Sequence, residues 1–121
     1  MSRVLVSTLG SLGDLHPYLA VGRELAARGH AVTLGTHALY EERIRGEGLG
    51  FLAVPPDLTD FGDPVDMMAK AMNGPDGSRY VIEKLVLPYV EAAYATLKAA
   101  AAGTDLLVGH PLTFAVASAA E

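Results

Sequence analysis

Three short apolar runs, Val4 to Thr8, His30 to Thr36 and Leu49 to Val54, alternate with two stretches of helical periodicity. This alternation leaves few folds open. A run without a polar residue at every second position suits a strand buried on both faces. Such strands pair in parallel, because each intervening helix carries the chain back across the sheet by a right-handed crossover. In the first helical stretch Leu15, Tyr18, Leu19, Gly22, Leu25 and Ala26 share one face, while Arg23, Glu24 and Arg28 fall largely on the other. Gly22 on the inner face permits close packing on a sheet, and Gly29 suits the left-handed residue that ends a helix. Thr36 is placed to cap a second helix over about His37 to Arg45, which Gly46-Glu47-Gly48 ends; Pro55-Pro56 stops the third strand.

Further along, Asp57 to Ser78 reads as a long surface loop with a short helix around Pro64 to Met72. A helix from Arg79 to about Ala102 should kink at Pro88, a fourth strand follows over Asp105 to Gly109, and a new helix begins after Pro111. Ending inside an amphipathic helix just after a buried strand, the chain is expected to be part of a larger protein. Its 121 residues form one domain, and a 50% apolar, 19% charged composition belongs to a globular α/β protein. A net charge of −5 gives no electrostatic reason to expect nucleic acid. No apolar run approaches the roughly 20 residues of a spanning helix, and no signal-peptide pattern opens the chain, so stable membrane insertion is not expected and a cytoplasmic location is. Without cysteine, and with four scattered histidines, no metal site is expected.

Chemistry is expected at Gly10-Ser11-Leu12-Gly13-Asp14-Leu15-His16-Pro17, the turn after the first strand. Gly10 and Gly13 let the backbone turn and approach a ligand, Pro17 suits the first helical position, and free N–H groups there favour an anion. The dinucleotide fingerprint fails twice: the glycines are spaced Gly10-x-x-Gly13, and the second strand ends Gly35-Thr36-His37 without an acidic residue. A P-loop fails too, since no Gly-Lys-Ser/Thr follows. Attention therefore moves to the side chains. Asp14 is either a group that carries chemistry or a cap, and His16, placed directly before the helix, either contacts a ligand or caps that helix. His37 ends the second strand where a pocket would open, His30 reads as structural, and His110 lies just beyond the fourth strand. Met67, Met68 and Met72 suit an adaptable apolar pocket.

The blocks Gly10-Ser11-x-Gly13-Asp14-x-x-Pro17, Leu25-Ala26-Ala27-Arg28-Gly29-His30-x-Val32-Thr33, Gly48-x-x-Phe51 and Asp105-Leu106-Leu107-Val108 are similar to the N-terminal half of the GT-B glycosyltransferases, especially family 28 and the bacterial macrolide or sterol type. The resemblance implies a Rossmann-like α/β three-layer sandwich with a parallel sheet, truncated before its second half. It implies an acceptor-binding domain for a lipophilic small molecule such as a natural product. A nucleotide sugar, for instance a UDP-sugar, is then a co-substrate held by a C-terminal domain, with no cofactor and no metal. In this family's inverting chemistry, a base removes the proton of the acceptor hydroxyl as its oxygen attacks the anomeric carbon. Plant-type relatives carry a histidine where this chain has Asp14 and an orienting aspartate where it has His110, which implies a dyad with its members exchanged. Either Asp14 or His110 is then the base. Gly10, Ser11, Gly13, His16, His37, Met68 and Thr113 are the substrate-binding candidates, with Ser11 and Gly13 facing the donor's phosphate. Two other readings stand beside this one: an anion-binding or nucleotide-binding module without catalysis, and a chain that self-associates through an exposed sheet edge.

Overall fold

The computed structural model describes residues 1–10 and 12–121, apart from the side chains of Asp60 and Pro64. Four parallel strands, β1 (Arg3–Ser7), β2 (Ala31–Thr36), β3 (Gly50–Ala53) and β4 (Leu106–Gly109), form one sheet in the order β3-β2-β1-β4. The chain builds outwards from β1 to β3 and then returns to the other side of β1. Val4 to Ser7 therefore pair on both sides, Ser7 standing opposite Gly35 of β2 and Gly109 of β4.

Because β1 is buried on both faces, its successive side chains feed two cores. Val4 and Val6 pack with Leu34 under α1 (Leu12–Ala27) and α2 (Glu41–Gly46), through Leu15, Leu19 and Ile44. Leu5 points the other way, against Leu97 of α5 (Val90–Ala101) and Ala115 and Ala119 of α6 (Ala115–Ala120). The result is a three-layer α/β sandwich, with the parallel sheet that the alternation predicts and the layering that the resemblance implies. Gly22 is in the wall of the first core: a Cβ there would stand 3.1 Å from Leu49 Cδ1 and 3.4 Å from Val32 Cγ1. Gly29, at φ +92°, ends α1 with its N–H on the Ala26 carbonyl and the His30 N–H on that of Leu25, a Schellman closure.

Four local expectations are corrected. Pro17 lies inside α1 and not at its first position, so the Gly13 carbonyl has no i+4 N–H to accept. Thr36 does not cap a helix, being the buried last residue of β2; a 3₁₀ turn over Ala38–Tyr40 precedes the shorter α2. Much of the stretch expected to be loop is helical: a 3₁₀ turn spans Leu58–Phe61, and α3 (Pro64–Ala71) and α4 (Gly74–Tyr80) follow. The long helix is more broken than kinked. A π-helical turn over Val81–Val86 and a 3₁₀ turn over Leu87–Tyr89 separate α4 from α5, where Pro88 removes a donor and crowds the preceding turn. No helix among the described residues is long and apolar enough to cross a membrane.

Leu34 is fully buried in the first core while Leu106 at the sheet edge is half exposed. Leu34→Ala should cost about 2–5 kcal/mol, and Leu106→Ala should stay within about 0.5–1 kcal/mol, as read from urea unfolding midpoints.

Candidate active site

Parallel pairing sends the chain out of β1, β2 and β4 at the same sheet edge, and β1 and β4 flank the point where strand order reverses, the place where open α/β sheets form a crevice. Asp14 enters it from the first turn of α1 and His110 from the residue after β4. His110 Nε2 stands 3.5 Å from Asp14 Oδ1.

The polar groups of His110 define its tautomer. Its backbone N–H continues the ladder to the Ser7 carbonyl at 3.0 Å, and its carbonyl accepts from the Thr113 N–H at 2.9 Å and the Thr113 hydroxyl at 2.6 Å. Ring Nδ1 accepts the Leu112 N–H at 3.0 Å, so the neutral ring carries its proton on Nε2, aimed at the carboxylate. The histidine thus closes the turn into α6 and addresses Asp14 at once. Tyr18 lies beside the ring, with centroids 5.8 Å apart.

Gly10 turns with φ +108°, and a Cβ there would collide with the Asp14 carboxylate, so the glycine serves both the turn and the close approach of that side chain. Both of its backbone groups are held by side chains that follow β2. Its N–H donates to His37 Nε2 at 2.8 Å, and its carbonyl accepts from the Tyr40 hydroxyl at 2.7 Å. Since Nε2 accepts, Nδ1 of His37 carries the proton and donates to the Pro56 carbonyl at 2.7 Å. Burial pushes the His37 imidazole below its ordinary 6.5, against the opposing effects of the Pro56 carbonyl, Asp57 and Asp14. Burial, with Asp14 nearby, raises Tyr40 and keeps its phenol a donor.

Beside this loop opens a cavity of about 450 Å³. It is lined by Gly10 and Asp14, by His37 and Tyr40, by Met67, Met68 and Met72 from α3 and beyond, and by Val81, Ile82 and Leu85 of the π turn. Its walls are mostly apolar, within the size range of small-molecule sites. A smaller cavity, about 30 Å³, borders His37 and Leu85 too and is lined by Ser7, Thr8 and Thr113. The hydroxyls of Ser7, Thr8 and Thr36 are buried and find no hydrogen-bond partner among the described residues.

Of the residues singled out in the sequence, Gly10, Asp14, His37, Met67, Met68 and Met72 border the large cavity and His110 reaches Asp14 from outside its wall. Gly13 is exposed in the first turn of α1. His16 is not ahead of the helix but within it, on the surface, where Nε2 accepts from Arg43 at 3.3 Å. Thr113 spends its hydroxyl on the His110 carbonyl, and Ser11 lies outside the described residues. His30 accepts the Ser2 N–H at 3.0 Å and fastens the other end of β1. Tyr40 was not singled out by sequence: its partner is a backbone carbonyl 30 residues away, which no spacing rule signals.

Residues 4–109 match the Glycosyltransferase family 28 N-terminal domain. The chain is 31% identical over 117 residues to a sterol 3-beta-glucosyltransferase of Debaryomyces hansenii, covering 94% of this chain and 7% of that protein. It is 31% identical over 119 residues to the O-mycaminosyltylonolide 6-deoxyallosyltransferase of Streptomyces fradiae, covering 95% and 28%. Among solved structures, the calicheamicin glycosyltransferase CalG4 superposes with a TM-score of 0.73 at 20% identity, over 99% of this chain and 30% of that one. Glycosyltransferase VinC, solved in complex with DTDP, gives 0.64 at 22%, over 98% and 31%. The fold is that of the N-terminal half of GT-B glycosyltransferases, and the chain spans less than a third of the length of each of these proteins.

The neutral state of His37 ties stability to pH. A folded value below 6.5 makes its contribution complete above about pH 6.5, and makes it fall as pH drops from there towards the lowered value. The urea midpoint should therefore fall between about pH 7 and pH 5, and His37→Gln, which can accept from Gly10 and donate to Pro56 without titrating, should flatten that fall.

Proposed function

The chain belongs to the glycosyltransferase family 28 N-terminal domain family, and from that membership we propose that it is the acceptor-binding half of an inverting glycosyltransferase. It would act on a hydroxyl of a lipophilic small molecule, and a donor-binding domain would supply the nucleotide sugar. The observation that carries this reading is the placement of a carboxylate on the rim of a large apolar cavity, at the switch point of the sheet. An apolar acceptor is held by the methionine and π-turn walls, and its hydroxyl meets Asp14. The match in kind to a sterol and a macrolide-type transferase supports the same class of acceptor.

The chemistry divides between the two side chains by their hydrogen bonds. Nδ1 of His110 is committed to the Leu112 N–H and Nε2 already carries a proton, so the neutral ring has no lone pair to offer an acceptor. Asp14 is the base. As the acceptor oxygen attacks the anomeric carbon, its proton passes to the Asp14 carboxylate, the bond from that carbon to the diphosphate oxygen breaks, and nucleoside diphosphate leaves with the bonding pair. His110 fixes the carboxylate from its Oδ1 side. The glycine turn brings Asp14 within reach of the crevice where the donor half would present the sugar.

In the enzyme comprising this chain and its donor-binding half, UDP-glucose or a dTDP-sugar with a sterol or a macrolide aglycone should give glycoside. Asp14→Asn should lower kcat about 10²–10⁴-fold while leaving the circular dichroism spectrum unchanged. Near-normal turnover would remove Asp14 from the mechanism.

A further inference from the structure

Gly10 has no side chain, yet three side chains define where it sits. Tyr40 holds its carbonyl at 2.7 Å, His37 holds its N–H at 2.8 Å, and the Asp14 carboxylate rests against its Cα in the space a Cβ would fill. His37 is fixed in turn by the Pro56 carbonyl beyond β3, at 2.7 Å. The turn that carries the carboxylate is thereby specified from the loops after β2 and β3. Turning either peptide plane at Gly10 breaks one of these bonds and shifts the surface on which Asp14 rests. Both rings also form cavity wall, so each meets the acceptor on one side and the Asp14 turn on the other.

We propose that Tyr40 and His37 are positioning residues for Asp14, acting through the two backbone groups of Gly10. This rests on the reading of Asp14 as the base. A general base works within hydrogen-bond reach of its proton, and a misplacement of the order of 1 Å can cost up to about 10²-fold in rate. Removing one of the two holds should reduce the rate by less, and should spare acceptor binding where the ring itself stays on the cavity wall.

Tyr40→Phe separates these effects, since it keeps the ring and deletes the hydroxyl. In the complete enzyme it should lower kcat by about 5–50-fold with the acceptor KM changed by less than about 3-fold. His37→Gln, able to accept from Gly10 and donate to Pro56, should retain most of kcat; His37→Leu should not. Hydrogen exchange of the Gly10 amide provides a readout independent of chemistry: faster in His37→Leu and Tyr40→Phe, near wild type in His37→Gln. Wild-type kcat in Tyr40→Phe beside an inactive Asp14→Asn overturns the proposal, and so does unchanged Gly10 exchange in His37→Leu. An active Asp14→Asn enzyme sinks the assignment of the base, and the hold on Gly10 is then decided by the exchange data alone.

Discussion

The meeting of the Asp14 turn, His110 and the loop after β2 depends on the two-sided parallel pairing of β1. With β2 on one flank and β4 on the other, the residues after Ser7, Thr36 and Gly109 emerge side by side although they are separated by up to about a hundred positions in the chain. A parallel sheet needs long connections, and these become the helices that bury it. Its central strands β1 and β2 are the ones most deeply sheathed, and the loops at the carboxyl edge are where the chain leaves that cover. Asp14 and His110 need no special device to find one another: the ladder that aligns Ser7 with Gly109 also delivers the His110 N–H to the Ser7 carbonyl.

Hydrogen bonding at this edge is built from side chain to backbone far more than from side chain to side chain. His37, Tyr40 and Thr113 each spend polar atoms on main-chain groups of neighbouring turns, and His110 accepts one main-chain N–H at Nδ1. These bonds define which nitrogen of each imidazole carries the proton in the neutral ring. One histidine is sealed in the interior with each nitrogen occupied; the other keeps a single N–H for the carboxylate. Two identical side chains thus take different parts because the turns around them offer different backbone groups.

The strands, the inner face of α1, the Gly29 closure and the helix beginning at Pro64 were legible in sequence, because they rest on periodicity and on residues with few conformational options. Asp14 and His110 were linked in the sequence only through the resemblance to plant-type relatives, and the shared sheet edge is what sets them 3.5 Å apart. Tyr40 and the double engagement of His37 were not, since a backbone partner leaves no mark on residue spacing. Pro17 misled because its fixed φ fits a helix interior as readily as a first turn when the lost bond is a single one near the start. The π turn was hidden for a related reason: Ile82, Leu85 and Tyr89 satisfy an α-helical reading, and the extra residue per turn shows only in the backbone.

That π turn lets the shape of the cavity change apart from the Asp14 turn. It contributes Val81, Ile82 and Leu85 to the large cavity, stands apart from the sheet ladder, and holds one residue more per turn than an α-helix would. Deleting a residue there would rotate the side chains before it by about 100° relative to those after it, recasting one wall while the Asp14 turn, the β4 edge and the hold on Gly10 stayed as they are. The shape of the chamber and the placement of the carboxylate are written in different parts of the chain, so the first can change while the second is kept.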